Sequence, residues 1–157
     1  MTRDDRNRIH RATIEDAADV ARLLHDFNTE YDDPTPQVPV LAKRVRELLA
    51  EEAIVVLLAD QPPAGLAALR IKPSLWSQAA DAYLEELYVV PEQRGHGIGK
   101  ALLTAAIDTA RKAGADHFEL TTGETDTTAR KLYESFNLTN REGGPDGPRM
   151  LYYEIDL

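Results

Sequence analysis

The sequence contains no cysteine and no hydrophobic run long enough to cross a membrane. Without cysteine, disulfides, a thiolate nucleophile and a cysteine-ligated metal site are all excluded. No apolar segment approaches the ~20 residues that a membrane-spanning helix needs, so no membrane partner is expected. The first ten residues, MTRDDRNRIH, have no apolar core and carry acidic side chains, unlike a signal peptide. We therefore expect a cytoplasmic protein and no bound metal.

Basic residues are also fewer than acidic ones. The chain has 18 lysines and arginines against 27 aspartates and glutamates, which gives a net charge of −9. Because a surface that binds nucleic acid is basic, this balance argues against a nucleic-acid partner and suits a cationic small molecule. With 157 residues, no internal repeat and no linker, the chain is predicted to form a single domain over residues 1–157.

Hydrophobic periodicity predicts a chain of alternating helices and strands. The predicted helices cover approximately 14–27, 38–49, 98–112 and 125–136. The predicted strands lie within 8–13, 53–59, 65–72, 82–90, 116–122, 138–141 and 149–156. Several consecutive strands with one strand–helix–strand crossover predict an α/β (α+β) fold, with a mixed, mostly antiparallel twisted sheet and helices on both faces.

A glycine-rich turn lies between the strand at 82–90 and the helix that follows it. The segment YVVPEQRGHGIGKALL places Gly95, Gly97 and Gly99 on alternate positions. Such a turn suits a phosphate, because uncovered amides and the positive end of the helix face the anion. The dinucleotide pattern G-x-G-x-x-G fails, since Lys100 stands where its last glycine belongs. The P-loop pattern fails too, since its first glycine and its hydroxyl are missing.

The spacing Arg94-x-x-Gly97-x-Gly99 resembles the Q/R-x-x-G-x-G/A signature of the GCN5-related N-acetyltransferases, whose fold this chain is then expected to share. The later segment ARKLYESFN is similar to the family's A-x-x-L-Y-x-x-x-G, with Asn137 in place of the glycine. The resemblance implies that acetyl-CoA binds with its pyrophosphate on the turn and its pantetheine arm along the preceding strand. Asp126 stands where the family often has an asparagine that contacts this arm. The predicted acetyl-CoA-binding residues are Leu87, Val89, Arg94, Gly95, His96, Gly97, Ile98, Gly99, Lys100 and Asp126.

The same resemblance suggests which groups carry the chemistry. Acetyl transfer to an amine needs a base, a donor to the oxyanion and an acid for the leaving thiolate. A strand amide near Val89 is the expected oxyanion donor, and Tyr133 would protonate the thiolate unless it is only a core aromatic. The stretch YLEELYVV is similar to diamine acetyltransferases, in which the residue matching Glu85 is the proposed base; the alternative is a carboxylate paired with an arginine. Strand alternation would place Glu86 on the opposite face.

The acceptor is predicted to be a primary amine that carries positive charge. Residues 26–33 hold four acidic side chains and no lysine or arginine, and in the family this region walls the acceptor site. An acidic wall suits a polyamine, an aminoglycoside or a lysine side chain, and Tyr31 adds a cation–π face. The alternative is an ordinary solvated loop. The predicted substrate-binding residues are Glu30, Tyr31, Asp32, Asp33 and Glu86.

Two classes of function follow from these features. The first is an enzyme that transfers the acetyl group of acetyl-CoA directly to a primary amine. The second is a CoA-sensing regulatory module on the same scaffold, without acceptor chemistry. Tyr133 and an acidic residue on the strand at 82–90 favour the enzyme. The sequence does not determine the oligomeric state; the resemblance is compatible with a homodimer, because dimers are frequent in families similar to this one.

Overall fold

A computed structural model describes residues 9–157. The chain divides into two compact units between Leu120 and Thr121, and each is described by itself. The N-terminal residues 1–8, for which the sequence predicts no export signal, lie outside the described residues. The prediction of a single domain stays a prediction.

The first unit is built on a five-stranded sheet. Its strands are β1 (Ile9–Arg11), β2 (Val55–Ala59), β3 (Gly65–Pro73), β4 (Ala80–Val89) and β5 (Ala115–Leu120). They lie side by side in chain order. Neighbouring strands from β1 to β4 are antiparallel, and β4 pairs with β5 in parallel. This pattern confirms the predicted mixed, mostly antiparallel sheet.

Helices α1 (Ala17–Glu30) and α2 (Val38–Ala50) cover one face of the sheet. Each has an apolar stripe at helical spacing, and α2 accepts Pro39 in its first turn, where no backbone donor is lost. Val20 and Leu23 of α1 and Val45 of α2 pack against alternate residues of β2 and β3 and against Tyr88 of β4. The helix α1 ends later than predicted, so the acidic segment begins on a helix rather than in a loop.

Helix α3 (Ile98–Lys112) packs against the opposite face, which confirms helices on both sides. Its contact with β3 requires a glycine. A Cβ built on Gly65 would lie 2.7 Å from the carbonyl oxygen of Tyr88 and 3.2 Å from the Leu102 side chain. The absence of a side chain at Gly65 therefore lets β3, β4 and α3 approach closely.

The second unit contains α4 (Thr127–Ser135). The Asp126 carboxylate caps this helix by accepting a hydrogen bond of 3.1 Å from the Ala129 amide. Asn137 follows the helix in the left-handed conformation, with φ of 64°, as its position in the motif predicts. An isolated antiparallel bridge joins Arg141 to Arg149; within this unit by itself, neither of the two predicted terminal strands is assigned.

Candidate active site

The centre of β4 contains a β-bulge. Glu86 is paired with Ala68 of β3, whereas the next pair along joins Leu84 to Leu69, so Glu85 is an extra residue in β4. A bulge interrupts the alternation of side chains along a strand. Glu85 reaches Arg70, which lies on the same face of β3 as Ala68. The two glutamates are therefore not separated to opposite faces, and the sequence-based prediction that they are is wrong.

The two glutamates have different surroundings. Glu85 accepts a hydrogen bond of 2.8 Å from Nε of Arg70, which forms a partly exposed ion pair. The pKa of Glu86 is raised from its ordinary 4.5 to about 7, mainly by burial and in addition by the nearby carboxylates of Glu85 and Asp33. At the bulge, the carboxylate of Glu85 is thus paired with Arg70, whereas the carboxylate of Glu86 changes protonation state near neutral pH.

Beyond the bulge, one edge of β4 has no partner strand among residues 9–120. The pairing of β4 with β5 ends at Leu84 and Leu120. The Val90 amide donates to the carbonyl of Ala64, the residue just before β3, so Tyr88 and Glu86 also direct their backbone groups towards β3. Leu87 and Val89, which alternate with them, direct theirs to the opposite edge. The strand thus continues beyond its pairing with β5, with the backbone groups of Leu87 and Val89 along the free edge.

The glycine turn leads from this edge into α3. Gly95 and Gly97 have φ of 79° and 83°, a region that side chains disfavour. The first backbone hydrogen bond of the helix runs from the Ala101 amide to the Gly97 carbonyl, and the N-cap residue, Gly97, has no side chain with which to cap the helix. The amides of Ile98, Gly99 and Lys100 therefore stay available, as an anion at a helix N-terminus requires. His96 lies in the turn with Nδ1 3.2 Å from the Gln93 carbonyl oxygen.

Arg94 connects the turn to α1. Its Nη2 lies 2.9 and 2.7 Å from the two carboxylate oxygens of Glu30, and its Nε donates to the Val89 carbonyl at 2.9 Å. The hydrogen bond that Arg94 donates to the Glu30 carboxylate raises the pKa of Arg94. The predicted cofactor residue Arg94 and the predicted substrate residue Glu30 are therefore in direct contact with each other.

An aromatic cluster lies beside this ion pair. The rings of Phe27 and Tyr88 meet edge to face at 4.9 Å, and Phe27 and Tyr31 lie 5.3 Å apart. The guanidinium of Arg94 is 5.7 Å from the centre of the Tyr88 ring. The sequence analysis missed Phe27 and Tyr88, although both follow the apolar periodicity of their elements. Periodicity alone marks them as core residues and gives no sign that they border a site.

The remaining acidic residues lie at the end of α1 and just after it. Asp32 adopts a left-handed conformation with φ of 56°, and the Asp33 amide donates to the Asn28 carbonyl at 2.8 Å. This turn brings Asp33 near enough to Glu86 to affect its pKa. The structure thus brings together Asp33 and Glu86, two of the five predicted substrate residues. Tyr133 and Asp126 lie on and before α4 in the second unit.

Two negative findings apply to the described residues. No group of three or more histidines, aspartates or glutamates among residues 9–157 is arranged to hold a metal ion. None of the helices within that range is long and apolar enough to span a bilayer.

Comparison with known proteins identifies relatives along most of the chain. Residues 18–137 match the acetyltransferase (GNAT) family. A thialysine N-epsilon-acetyltransferase from Mus musculus is 26% identical over 151 residues, which cover 87% of this chain and 88% of the relative. An aminoglycoside N(6')-acetyltransferase type 1 from Stenotrophomonas maltophilia is 27% identical over 154 residues, which cover 95% and 93%. A mycothiol acetyltransferase from Thermobispora bispora is 41% identical over 66 residues, but the chain spans only 22% of its length.

A solved structure supports the same assignment. A crystal structure from Arthrobacter sp. FB24, provisionally described as an acetyltransferase, is 48% identical to this chain. It superposes with a TM-score of 0.87 over 96% of both chains. The match to the family pattern, the five-stranded sheet and this structural likeness agree with one another. The chain therefore belongs to the acetyltransferase (GNAT) family.

Proposed function

We propose that this protein transfers the acetyl group of acetyl-CoA to a primary amine. The observation that carries the proposal is the free edge of β4 beyond Leu84, which leads directly into a glycine turn and an uncapped helix N-terminus. The amides of Leu87 and Val89 would pair with the pantetheine arm and with the oxyanion of the transferred acetyl group. The amides from Gly97 to Lys100 would hold the pyrophosphate.

We propose Glu86 as the general base, in place of Glu85. A base is most effective when its pKa lies near the working pH, and burial together with two neighbouring carboxylates raises the pKa of Glu86 to about 7. Glu85, by contrast, is held by Arg70. Glu86 would accept a proton from the ammonium of the acceptor, directly or through one water. The neutral amine would then attack the thioester carbonyl, and as the C–S bond breaks Tyr133 would protonate the departing CoA thiolate, a role that rests on the family resemblance. The proton released from the new amide nitrogen would restore the Tyr133 hydroxyl.

A cationic acceptor is the substrate class that the charges favour. Asp33 lies near Glu86, and Asp32 precedes it on the same turn, so an ammonium group approaching the base meets negative charge. The named activities of the mouse and Stenotrophomonas relatives, on thialysine and on aminoglycosides, support an amine acceptor of this kind. We propose a small molecule with a second positive charge beyond the acetylated amine. A cytoplasmic location and a homodimer stay predictions from the sequence.

The experiment that tests this function is a thiol-release assay with a panel of amines. Acetyl-CoA is supplied with polyamines, aminoglycosides, lysine-containing peptides and neutral amines, and free CoA is measured. Release that depends on a dicationic amine supports the proposal. Binding of acetyl-CoA without release for any amine would instead support the CoA-sensing alternative.

A further inference from the structure

We propose that Glu30 and Arg94 form a positioning pair that orders the cofactor-binding edge of β4 and the end of α1 together. The proposal rests on the proposed function in one respect, because it takes the free edge of β4 as the place where acetyl-CoA binds. It assigns to both residues a role different from the one that the family motif and the acidic segment suggest. Arg94 is then not mainly a phosphate ligand, and Glu30 is not mainly a ligand of the acceptor ammonium.

The guanidinium of Arg94 is already engaged by groups of the protein. Nη2 lies within 2.9 Å of both carboxylate oxygens of Glu30, and Nε donates to the Val89 carbonyl. The guanidinium also lies against the face of the buried Tyr88 ring. The side chains of Arg94 and Glu30 are 44% and 27% exposed, so the pair is only partly screened by solvent. One side chain thus joins the turn, the last residues of β4 and the last residue of α1.

The bond to Val89 matters because of where this residue lies. In an antiparallel pair the N–H and C=O of one residue point to the same side of the strand. The Val89 carbonyl that Arg94 holds is therefore on the same free edge as the Val89 amide, the proposed donor to acetyl-CoA. Because Arg94 holds the Val89 carbonyl, the backbone dihedral angles of Val89 are restricted and the direction of its amide is fixed. Arg94 can do this only while its guanidinium stays in place, and Glu30 keeps it there.

The acceptor side depends on the same pair. Glu30 is the last residue of α1, one position before Tyr31 and three after Phe27. Its bond to Arg94 fixes the end of the helix against Tyr88, so the aromatic cluster and the turn that carries Asp33 are held relative to β4. Because the Glu30 carboxylate is compensated by Arg94, the free negative charge near Glu86 comes from Asp33 instead.

A titration of acetyl-CoA into the Glu30→Gln variant tests the proposal, because the two explanations predict opposite signs. If Arg94 is a phosphate ligand that Glu30 merely restrains, removing the carboxylate frees a cation and removes a repulsive charge, so acetyl-CoA binds more tightly. If the pair positions β4, the Kd rises, by about threefold to tenfold for a charge-assisted pair of this exposure. Glu30→Ala, which also removes the remaining hydrogen bond, should raise the Kd at least as much. A lower or unchanged Kd in both variants overturns the proposal.

Three further variants, Arg94→Gln, its combination with Glu30→Gln, and Glu47→Gln, separate positioning from a general loss of stability. Arg94→Gln combined with Glu30→Gln should raise the Kd no further than the more damaging single change, since both remove the same contact. Independent roles would give additive effects, which would contradict the proposal. The matched control is Glu47→Gln, which breaks the exposed ion pair of Glu47 with Arg44 on α2 and should leave the Kd unchanged. A rise in Kd for Glu47→Gln equal to that for Glu30→Gln would mean that any lost ion pair weakens binding, and would also overturn the proposal. The titration needs no acceptor, so it tests this pair even if no amine is acetylated.

Discussion

Replacing Glu86 by glutamine should stabilise the fold at alkaline pH and reduce catalysis. The folded protein holds the pKa of Glu86 at about 7, above its ordinary 4.5. A raised carboxylate pKa contributes stability that is fully present below about pH 4.5 and is lost as the pH rises through 7, because the folded state then has to bury a charge. Glutamine is neutral at every pH. The variant should therefore match the wild type near pH 4.5 and exceed it at pH 8.

The size of this gain follows from the pKa. Each unit of pKa difference corresponds to about 1.4 kcal/mol, which sets an upper limit of roughly 3 kcal/mol for Glu86. Solvent screening of a partly exposed carboxylate lowers the expected gain to about 1 kcal/mol. For a chain of this length that is a rise in Tm of about 2–4 °C. Thermal melts at pH 5 and pH 8 measure it, and a Tm difference that is the same at both pH values would refute the reasoning.

The Glu86→Gln substitution that stabilises the fold should lower the rate of catalysis. As the base, Glu86 must be deprotonated, so kcat/KM of the wild type should rise with pH through about 7, and Glu86→Gln should lower kcat by ~10²-fold. Asp33→Asn should move the rise in kcat/KM to lower pH, because it removes a charge that raises the pKa of Glu86. The matched control is Glu85→Gln, which breaks the ion pair with Arg70 and should not show the gain in Tm at pH 8. Wild-type turnover in Glu86→Gln would exclude Glu86 as the base.

Three further predictions concern the acid, the acceptor and the packing of the sheet. Tyr133→Phe should lower kcat by ~10²-fold with little change in acetyl-CoA affinity, since it removes only a proton donor; wild-type turnover would make Tyr133 a packing residue. Replacing Asp32 and Asp33 by asparagine should raise the KM for a dicationic amine, and added salt should raise the wild-type KM in the same way, whereas salt-independent kinetics would argue against charge recognition. Gly65→Ala should lower the Tm, because the new Cβ would lie 2.7 Å from the Tyr88 carbonyl oxygen; an unchanged Tm would show that β4 shifts without cost.

Most of the fold follows from the sequence because its elements have clear hydrophobic periods. The α1, α2 and α3 stripes and the β2, β3 and β4 runs are long enough to be identified, and their order confirms the mixed sheet. The end of α1 is different. Acidic and polar residues from Asp26 to Glu30 look like a loop, but Phe27 continues the apolar stripe and its packing against Tyr88 extends the helix. Tertiary packing therefore outweighs local propensity at this point.

The site was less predictable because it depends on a change of register. Two adjacent glutamates in a strand predict opposite faces, and no residue type in YLEELYVV marks the extra position that the bulge introduces. The bulge directs Glu85 to Arg70 and leaves Glu86 half-buried near the carboxylates of Glu85 and Asp33, and only the pairing with β3 shows this. The contact between Glu30 and Arg94 joins residues 64 positions apart, and a single sequence carries no signal for such a pair.

The most direct test of the whole account is a calorimetric titration of acetyl-CoA into the wild type, Gly97→Asp and Gly114→Asp. Gly97 and Gly114 lie at the two ends of α3 with nearly equal φ of 83° and 87°, so the same substitution imposes similar backbone strain at both. Only the change at Gly97 places a carboxylate and a Cβ where the pyrophosphate is proposed to bind. The account predicts tight binding to the wild type and to Gly114→Asp, and loss of binding to Gly97→Asp. Equal affinity for Gly97→Asp and the wild type would contradict the central claim that acetyl-CoA is held on this turn.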